Sequence, residues 1–335
     1  VFRRRSADVP LMHASTQAFI SDAESKTPSQ VAAKSRPSII FSVDLEDWAQ
    51  STLDRNLPIG RHCANNAHRL LDLLASATHE PARATFFILG KFAEKHPDVV
   101  RRILADGHEA ACHGHGHVPL YELDPDSFRE DLRRAIGIIS DIIGERVRGY
   151  RAPVFSIGER TLWALEILQD EGFRYDSSIF PIDGPRYGIP NWPDEPRAVQ
   201  LSNGGSITEF PLTALRVAGR RLPVSGGGYA RLLPGWALRR AFDREARRRS
   251  SWPVFYCHPY EIDADEFRRV TPTPPWGTTR LALKTRLHQG LGRRGFASKL
   301  EMLLKHFRFR SFAEALASMD ELPIIRTATV TERTD

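Results

Sequence analysis

Cysteine is scarce in this sequence: Cys63, Cys112 and Cys257 are the only three in 335 residues. An odd, sparse set argues against a disulfide framework, and free thiols fit a reducing compartment, so a cytoplasmic protein is expected. The simplest role for Cys112 and Cys257 is that of small buried strand residues. No run of about 18 apolar residues is present, which leaves no candidate for a transmembrane helix. The first 35 residues lack the apolar stretch of a secretory signal and carry Arg3-Arg4-Arg5; they read as a disordered lead-in or as upstream sequence. Gly226-Gly227-Gly228 is not followed by Lys-Ser/Thr, so a tight turn near a pocket is expected there and not a phosphate loop. Zinc-finger spacing and an aromatic-interleaved basic platform are both missing. The net charge of +6 is therefore read as solvated helix faces at Arg239-Arg240, Arg244 to Arg249 and Arg293-Arg294, and nucleic acid is not expected as a partner. Peripheral contact with a membrane surface stays open.

What is there begins with histidine. Four of the twelve histidines fall between His108 and His117. His113 and His117 stand four apart with glycines between, a spacing that lets two imidazoles reach one metal ion. Clustered histidines are also ordinary surface residues, so the rest of the chain decides. A metal site needs a third ligand, and a hydrolytic one needs a base and an acid.

From Ser38 onward, short apolar strands alternate with periodic helical segments. Ser38–Asp44, Arg83–Gly90, Val147–Val154, Ile207–Leu215 and Pro253–His258 read as strands. Asn66–Ala77 and Pro97–Asp106 read as helices, the second closed by Gly107. Ser127-x-x-Glu130 and Ser156-x-x-Glu159 look like capping boxes opening helices that stop at Gly144 and Gly172. This alternation predicts a parallel sheet with helical crossovers. Asp44, His113, Arg151 and His258 all follow strands, at the end where such sheets build sites. The tail from Arg280 to Leu316 is basic and helical, with Leu300, Leu303, Leu304 and Phe307 as a core-facing stripe.

Three carboxylates at one strand end, Asp44, Glu46 and Asp47, are costly without compensation. A divalent cation held by Glu46, His113 and His117 would compensate them and leave a position for water, with Asp44 as general base. Helix N-capping is the ordinary alternative for one of the three, and Asp47 remains an alternative ligand. Arg151 beside Asp44 would keep the base ionised and oriented. Pro153 has no N–H, so the Val154 amide is the next donor for a developing oxyanion. His258, held extended by Pro259, is the candidate general acid, and Asp176 the carboxylate that would orient and charge it.

In order, Val43-Asp44-Leu45-Glu46-Asp47, His113 to His117, Arg151-Ala152-Pro153, Tyr175-Asp176-Ser177 and Tyr256-Cys257-His258 resemble the motifs of the NodB-type polysaccharide deacetylases, carbohydrate esterase family 4. The resemblance covers roughly Ser38 to Phe309. The flanks Arg83–Gly90, Gly149–Ile157, Arg174–Ile182, Gly226–Pro234 and Phe255–Asp263 are similar to a bacterial subgroup associated with exosortase and exopolysaccharide loci. One departure stands out: the family's usual Asp-Asp-Gly is Asp-Leu-Glu-Asp here. The resemblance implies a distorted (β/α) barrel binding one divalent metal, zinc first, with cobalt, nickel or manganese as alternatives. It implies removal of N-acetyl groups from hexosamines of an exopolysaccharide or its lipid-linked precursor. The same site would serve an amidohydrolase acting on a small cyclic amide, and a silent glycan-binding scaffold is the reading outside enzymology. The expected organisation is a lead-in over 1–36, a deacetylase domain over 37–265, a basic helical extension over 266–320 and a tail over 321–335.

Overall fold

The computed structural model describes residues 36–184, 186–266, 289–319 and 321–326. Of the expected lead-in over 1–36, residues 1–35 lie outside the described residues, as do residues 267–288 and 320 of the expected extension over 266–320 and the last nine residues.

The strands are β1 (Ser38–Leu45), β2 (Thr85–Ile88), β3 (Glu109–Cys112), β4 (Gly149–Tyr150), β5 (Tyr175–Asp176), β6 (Arg197–Gln200), β7 (Ser206–Glu209), β8 (Ala214–Val217), β9 (Arg220–Pro223), β10 (Val254–Cys257), β11 (Arg308–Arg310) and β12 (Ile324–Arg326). The described helices are α1 (Trp48–Thr52), α2 (Arg61–Ala75), α3 (Gly90–Lys95), α4 (Pro97–Ala105), α5 (Pro125–Ile143), α6 (Ala164–Asp170), α7 (Gly227–Leu232), α8 (Gly235–Arg248), α9 (Phe296–His306) and α10 (Phe312–Ala317). The main sheet runs β10-β1-β2-β3-β4-β5-β7-β6-β12, with β11 also on β1. Every pairing in it is parallel except β6 with β7, and β8-β9 is a separate antiparallel hairpin.

This is the expected α/β architecture, a parallel sheet wound with helices. Among the described residues, backbone pairing does not close the barrel. Between β7 and β10 the gap is spanned by single contacts: the Val254 N–H donates to Thr213 Oγ1 at 2.7 Å, Ser225 Oγ to the Thr213 carbonyl at 2.6 Å, and the Tyr256 N–H to the Ser225 carbonyl at 2.7 Å.

Strand alternation sorts side chains into two cores. Ile39, Phe41, Val43 and Leu45 of β1 pack outward with Phe86, Ile88, Cys112, Tyr150, Phe255 and Cys257 against the helices. Helix α2 meets this layer with Ala67, Leu70, Leu71 and Leu74, each leucine worth about 1.5–3 kcal/mol of burial. Ile40, Phe87, Ala111, Tyr175, Val254 and Tyr256 face the lumen. Helix α10 plugs the lumen floor with Phe312, whose ring lies 5.3 Å from Tyr175, 5.2 Å from Phe210 and 5.7 Å from Phe87.

Several local expectations change. Helix α5 starts earlier than Ser127, because Asp124 is its N-cap and accepts the Ser127 N–H at 2.8 Å. Ser156 caps no helix; its hydroxyl donates to the Pro153 carbonyl and accepts the Leu120 N–H. The strand expected over Val147–Val154 is two residues long, since Pro153 and the left-handed Val154 break it. The tail is not helical throughout. Leu300, Leu303, Leu304 and Phe307 are buried as expected, but Arg308–Arg310 form β11, paired with Ser38–Ile40. The three cysteines are free and buried, and burial pushes the Cys112 thiol up to about 12.

Candidate active site

Alternation that puts Ile40 in the lumen puts Ser42 and Asp44 there too, and the same parity directs His113, Arg151 and His258 inward from the ends of β3, β4 and β10. These residues meet at the carboxyl edge of the sheet in a cleft of about 700 Å³. Asp44, Glu46, His113, His117, Val154 and His258 line it, with Tyr121, Phe155, Tyr187, Tyr256 and Tyr260.

Glu46, His113 and His117 converge, with one ligand atom from each within 4.8 Å of the others. His117 Nε2 is 2.6 Å and His113 Nε2 3.6 Å from Glu46 Oε2. His113 Nδ1 lies 2.8 Å from the Arg151 carbonyl. That contact commits Nδ1 as the donor and leaves Nε2 as the free ligand atom. Two imidazoles and a carboxylate, all buried, are a donor set suited to zinc and related divalent ions. Burial would raise the Glu46 carboxyl, but His117, His113 and His258 outweigh it and hold it well below the usual range.

Asp47 is not part of this cluster. Its Oδ1 caps α1 by accepting the Ala49 and Gln50 amides, and its Oδ2 accepts the Gly60 N–H at 2.9 Å and meets His62 Nε2 at 2.8 Å. Of the three carboxylates, Asp47 is therefore the helix cap.

The histidine loop is held from below. Asp131, inside α5, accepts the His115 N–H at 2.8 Å and the Gly116 N–H at 3.1 Å. The Gly114 and His115 carbonyls accept the Gly90 and Lys91 amides at the start of α3. This grip turns His117 into the left-handed region at φ 60°. Val154 and Phe155 share that conformation at φ 57° and 54°, a genuine outlier for a β-branched residue. Backbone strain of roughly 1–3 kcal/mol per residue thus gathers on the cleft wall. His115 packs on Gly90, where a Cβ would stand 2.5 Å from its ring.

Arg151 is fully buried. One nitrogen donates to Asp44 Oδ1 at 2.6 Å and to Ser42 Oγ at 2.9 Å; Nε donates to the Ser177 carbonyl and the remaining nitrogen to Ser177 Oγ. The guanidinium sits over the Phe87 ring at 4.1 Å. Its contact with Asp44 is the one expected.

His258 Nε2 faces Glu46 Oε1 at 3.5 Å and Asp44 Oδ2 at 4.0 Å. Its partner differs from the expectation: the carboxylate on Nδ1 is Glu261, at 3.2 Å, which also accepts the His258 N–H at 3.1 Å. Asp176 cannot fill that role. Tyr175 faces the lumen, so alternation turns Asp176 to the other face, where it accepts the Ser178 amide and hydroxyl opposite Glu209. Burial raises both carboxyls of that pair, and Asp176 raises Glu209 further.

Glu261 is anchored by Arg231 at 3.0 Å, both side chains buried. Burial would lower the His258 imidazole, but Glu261, Glu46 and Asp44 raise it. Tyr260 stacks on His258 at 4.7 Å, and the Arg293 guanidinium lies 5.0 Å from the Tyr260 ring. Sequence reasoning missed Glu261, Arg231 and Asp131, and it read Arg249 and Arg293 as parts of solvated helix faces, whereas both are buried. Only Glu261 had a local signal, three residues past His258 in a histidine–proline pair.

Residues 51–175 match the family profile described as polysaccharide deacetylase, and residues 177–317 match a domain of unknown function, DUF3473. A peptidoglycan deacetylase-like protein of Gibberella zeae is 28% identical over 167 residues, 46% of this chain and 47% of that protein. A chitooligosaccharide deacetylase of Rhizobium leguminosarum bv. trifolii is 28% identical over 184 residues, 49% of this chain and 80% of that protein. A Bacillus cereus peptidoglycan-N-acetylglucosamine deacetylase is 35% identical over 85 residues, 25% of this chain and 31% of its own. The chain thus spans about half or less of the length of two of these three relatives. Among solved structures, a Mycobacterium smegmatis protein assigned to the polysaccharide deacetylases superposes with TM-score 0.52 at 23% identity, covering 89% of this chain and 90% of that one. A Pseudomonas aeruginosa PAO1 structure so assigned gives 0.50 at 17% identity, covering 88% and 89%. These two likenesses concern the fold.

Proposed function

Because this chain belongs, through residues 51–175, to the NodB-type polysaccharide deacetylases of carbohydrate esterase family 4, we propose that it hydrolyses N-acetyl groups from hexosamine residues of a bacterial exopolysaccharide or of its lipid-linked precursor. The observation that carries the reading is the convergence on one cleft of a Glu46–His113–His117 ligand set, an Arg151-bound Asp44 and an Nδ1-anchored His258.

Glu46, His113 and His117 would hold one divalent ion, zinc by choice of donors. When bound it would polarise the acetamide carbonyl and acidify the attacking water. Asp44 takes the proton of that water, its free oxygen Oδ2 lying on the His258 side while Oδ1 stays bound to Arg151. The Val154 N–H faces the oxygen on which negative charge develops. His258 gives a proton from Nε2 to the departing nitrogen as the C–N bond breaks, and Glu261 stabilises the imidazolium through Nδ1. Phe155, Tyr187 and Tyr256 wall the cleft. Acetate and a free amine leave.

We assign the protein to the cytoplasmic side, on its three unpaired thiols; no described helix is long and apolar enough to cross a membrane. The test is acetate release from N-acetylglucosamine oligomers by metal-stripped protein given back zinc or cobalt, with Asp44→Asn as control. Metal-dependent release lost in the control is expected. Full activity in His113→Ala would refute the assignment.

A further inference from the structure

Helices α7 and α8 meet at a turn that leaves apolar side chains in water. Leu232 is 56% exposed and Trp236 70%. Leu291, 54% exposed, joins them: its neighbour Gly292 lies so close to the Arg231 carbonyl that a Cβ there would stand 2.5 Å away. Beyond Trp236, every exposed residue of α8 is an arginine: Arg239, Arg240, Arg244, Arg247 and Arg248. Arg248 is taken by Asp194 and Glu245. Among the described residues, the other four make no ion pair, and the half-buried Asp243 of the same helix is occupied by His306 at 2.8 Å. Trp236, Arg240, Arg244 and Arg247 fall at helical spacing on one face.

We propose that this face is a docking surface for an anionic lipid bilayer, with Leu232, Trp236 and Leu291 entering the headgroup boundary and the α8 arginines on the phosphates. Exposed apolar residues continued along α8 by unpaired arginines match the composition of interfacial membrane binders. A nucleic acid or acidic glycan would use the arginines and stack on Trp236, but would leave the aliphatic Leu232 and Leu291 in water. The face adjoins the cleft: Tyr229 of α7 lies 3.4 Å, hydroxyl to hydroxyl, from the cleft residue Tyr187, and the carbonyl of the cleft residue Gln289 accepts from Arg231. Docking there brings the cleft mouth to the lipid surface. The inference rests on exposure and charge and stands apart from the deacetylase reading.

The test is cosedimentation of the full chain with phosphatidylcholine vesicles, with and without phosphatidylglycerol, alongside a heparin-binding assay. Binding is expected only with phosphatidylglycerol present, falling with salt. Basic residues near an anionic surface contribute about fivefold each, so Arg240→Glu with Arg244→Glu should weaken partitioning more than tenfold, and Trp236→Ser should weaken it independently at high salt. All lie on the surface, so hydrolysis of soluble N-acetylglucosamine oligomers should be unchanged in the variants, which separates failure of docking from failure of the active-site assignment. No vesicle binding, vesicle binding indifferent to these substitutions, or heparin binding alone would overturn the proposal.

Discussion

Glu261→Gln is the sharpest test of how the proposed acid works. The side chain keeps its volume and loses its charge. Glu261 now accepts from His258 Nδ1 at 3.2 Å and from the His258 N–H at 3.1 Å, and pairs with Arg231 at 3.0 Å. A hydrogen bond to a charged group is worth about 1.5–3 kcal/mol net, and the imidazolium exists only while His258 carries the proton. Losing the charge should lower kcat by about ten- to a hundredfold at roughly 1.4 kcal/mol per tenfold, with KM and bound metal nearly unchanged. The sign on pH follows. Glu261 raises the His258 imidazole, and an acid must be protonated, so the alkaline limb of the kcat profile should move to lower pH. Arg231 keeps a neutral acceptor but loses its counter-charge in a buried setting, so Tm should fall by a few degrees and rates need scaling to folded protein. Steady-state kinetics across pH on Glu261→Gln and Asp176→Asn decide it. Full kcat in the first, or a larger loss in the second, would refute the argument.

Asp131→Ala strips the acceptor from the His115 and Gly116 amides; metal affinity by competitive chelation should weaken about ten- to a hundredfold, and unchanged affinity would remove Asp131 from the support of the site. Asp194 is partly buried, yet Arg216, Arg249 and Arg248 hold its carboxyl well below the usual range. Its contribution is therefore present above the ordinary aspartate value near 4 and lost only below it. Asp194→Asn should cost about 1–3 kcal/mol from pH 8 down to about 4, and a gap that closes already at pH 6 would contradict this. Gly226→Ala forces a Cβ to 1.8 Å from the Tyr256 carbonyl at φ 155°, so soluble yield or kcat should collapse. Gly204→Ala, at φ 85° with open space around it, should cost only about 1–2 kcal/mol; equal effects in thermal melts would contradict the clash.

Much of the site was legible because its chemistry follows strand ends. Asp44, His113, Arg151 and His258 sit where a parallel sheet aims polar residues, and the four-residue step from His113 to His117 is visible in any reading. What stayed hidden depends on which face a side chain takes after a short strand. Asp176 follows Tyr175 in a strand of two residues, too short for a period to show that the tyrosine claims the lumen. Glu261 reads as an ordinary helix-opening acid, and it does accept the His258 amide as such; its second contact depends on where the His258 ring turns. Asp131 lies in an amphipathic helix and looks like a solvated charge. The barrel's irregular closure at Thr213 and Ser225 rests on side-chain hydrogen bonds that leave no hydrophobic pattern.

The neighbours of β1 set an order of events in time. One edge of this first strand is covered by Val254–Cys257, and the lower part of the other by Arg308–Arg310. During synthesis from the N-terminus, the strand bearing Asp44 therefore waits more than 200 residues for its partner on one side and still longer for β11. Such distant pairing slows folding and leaves an open strand edge that a second nascent chain can join. A chain stopped at residue 265 would carry each residue assigned here to metal, base, acid and oxyanion, yet lack β11 and the Phe312 plug beneath Arg151. Recombinant forms trimmed to the recognisable catalytic segment should accumulate as aggregates, and co-expressing residues 266–335 as a separate piece is the natural rescue.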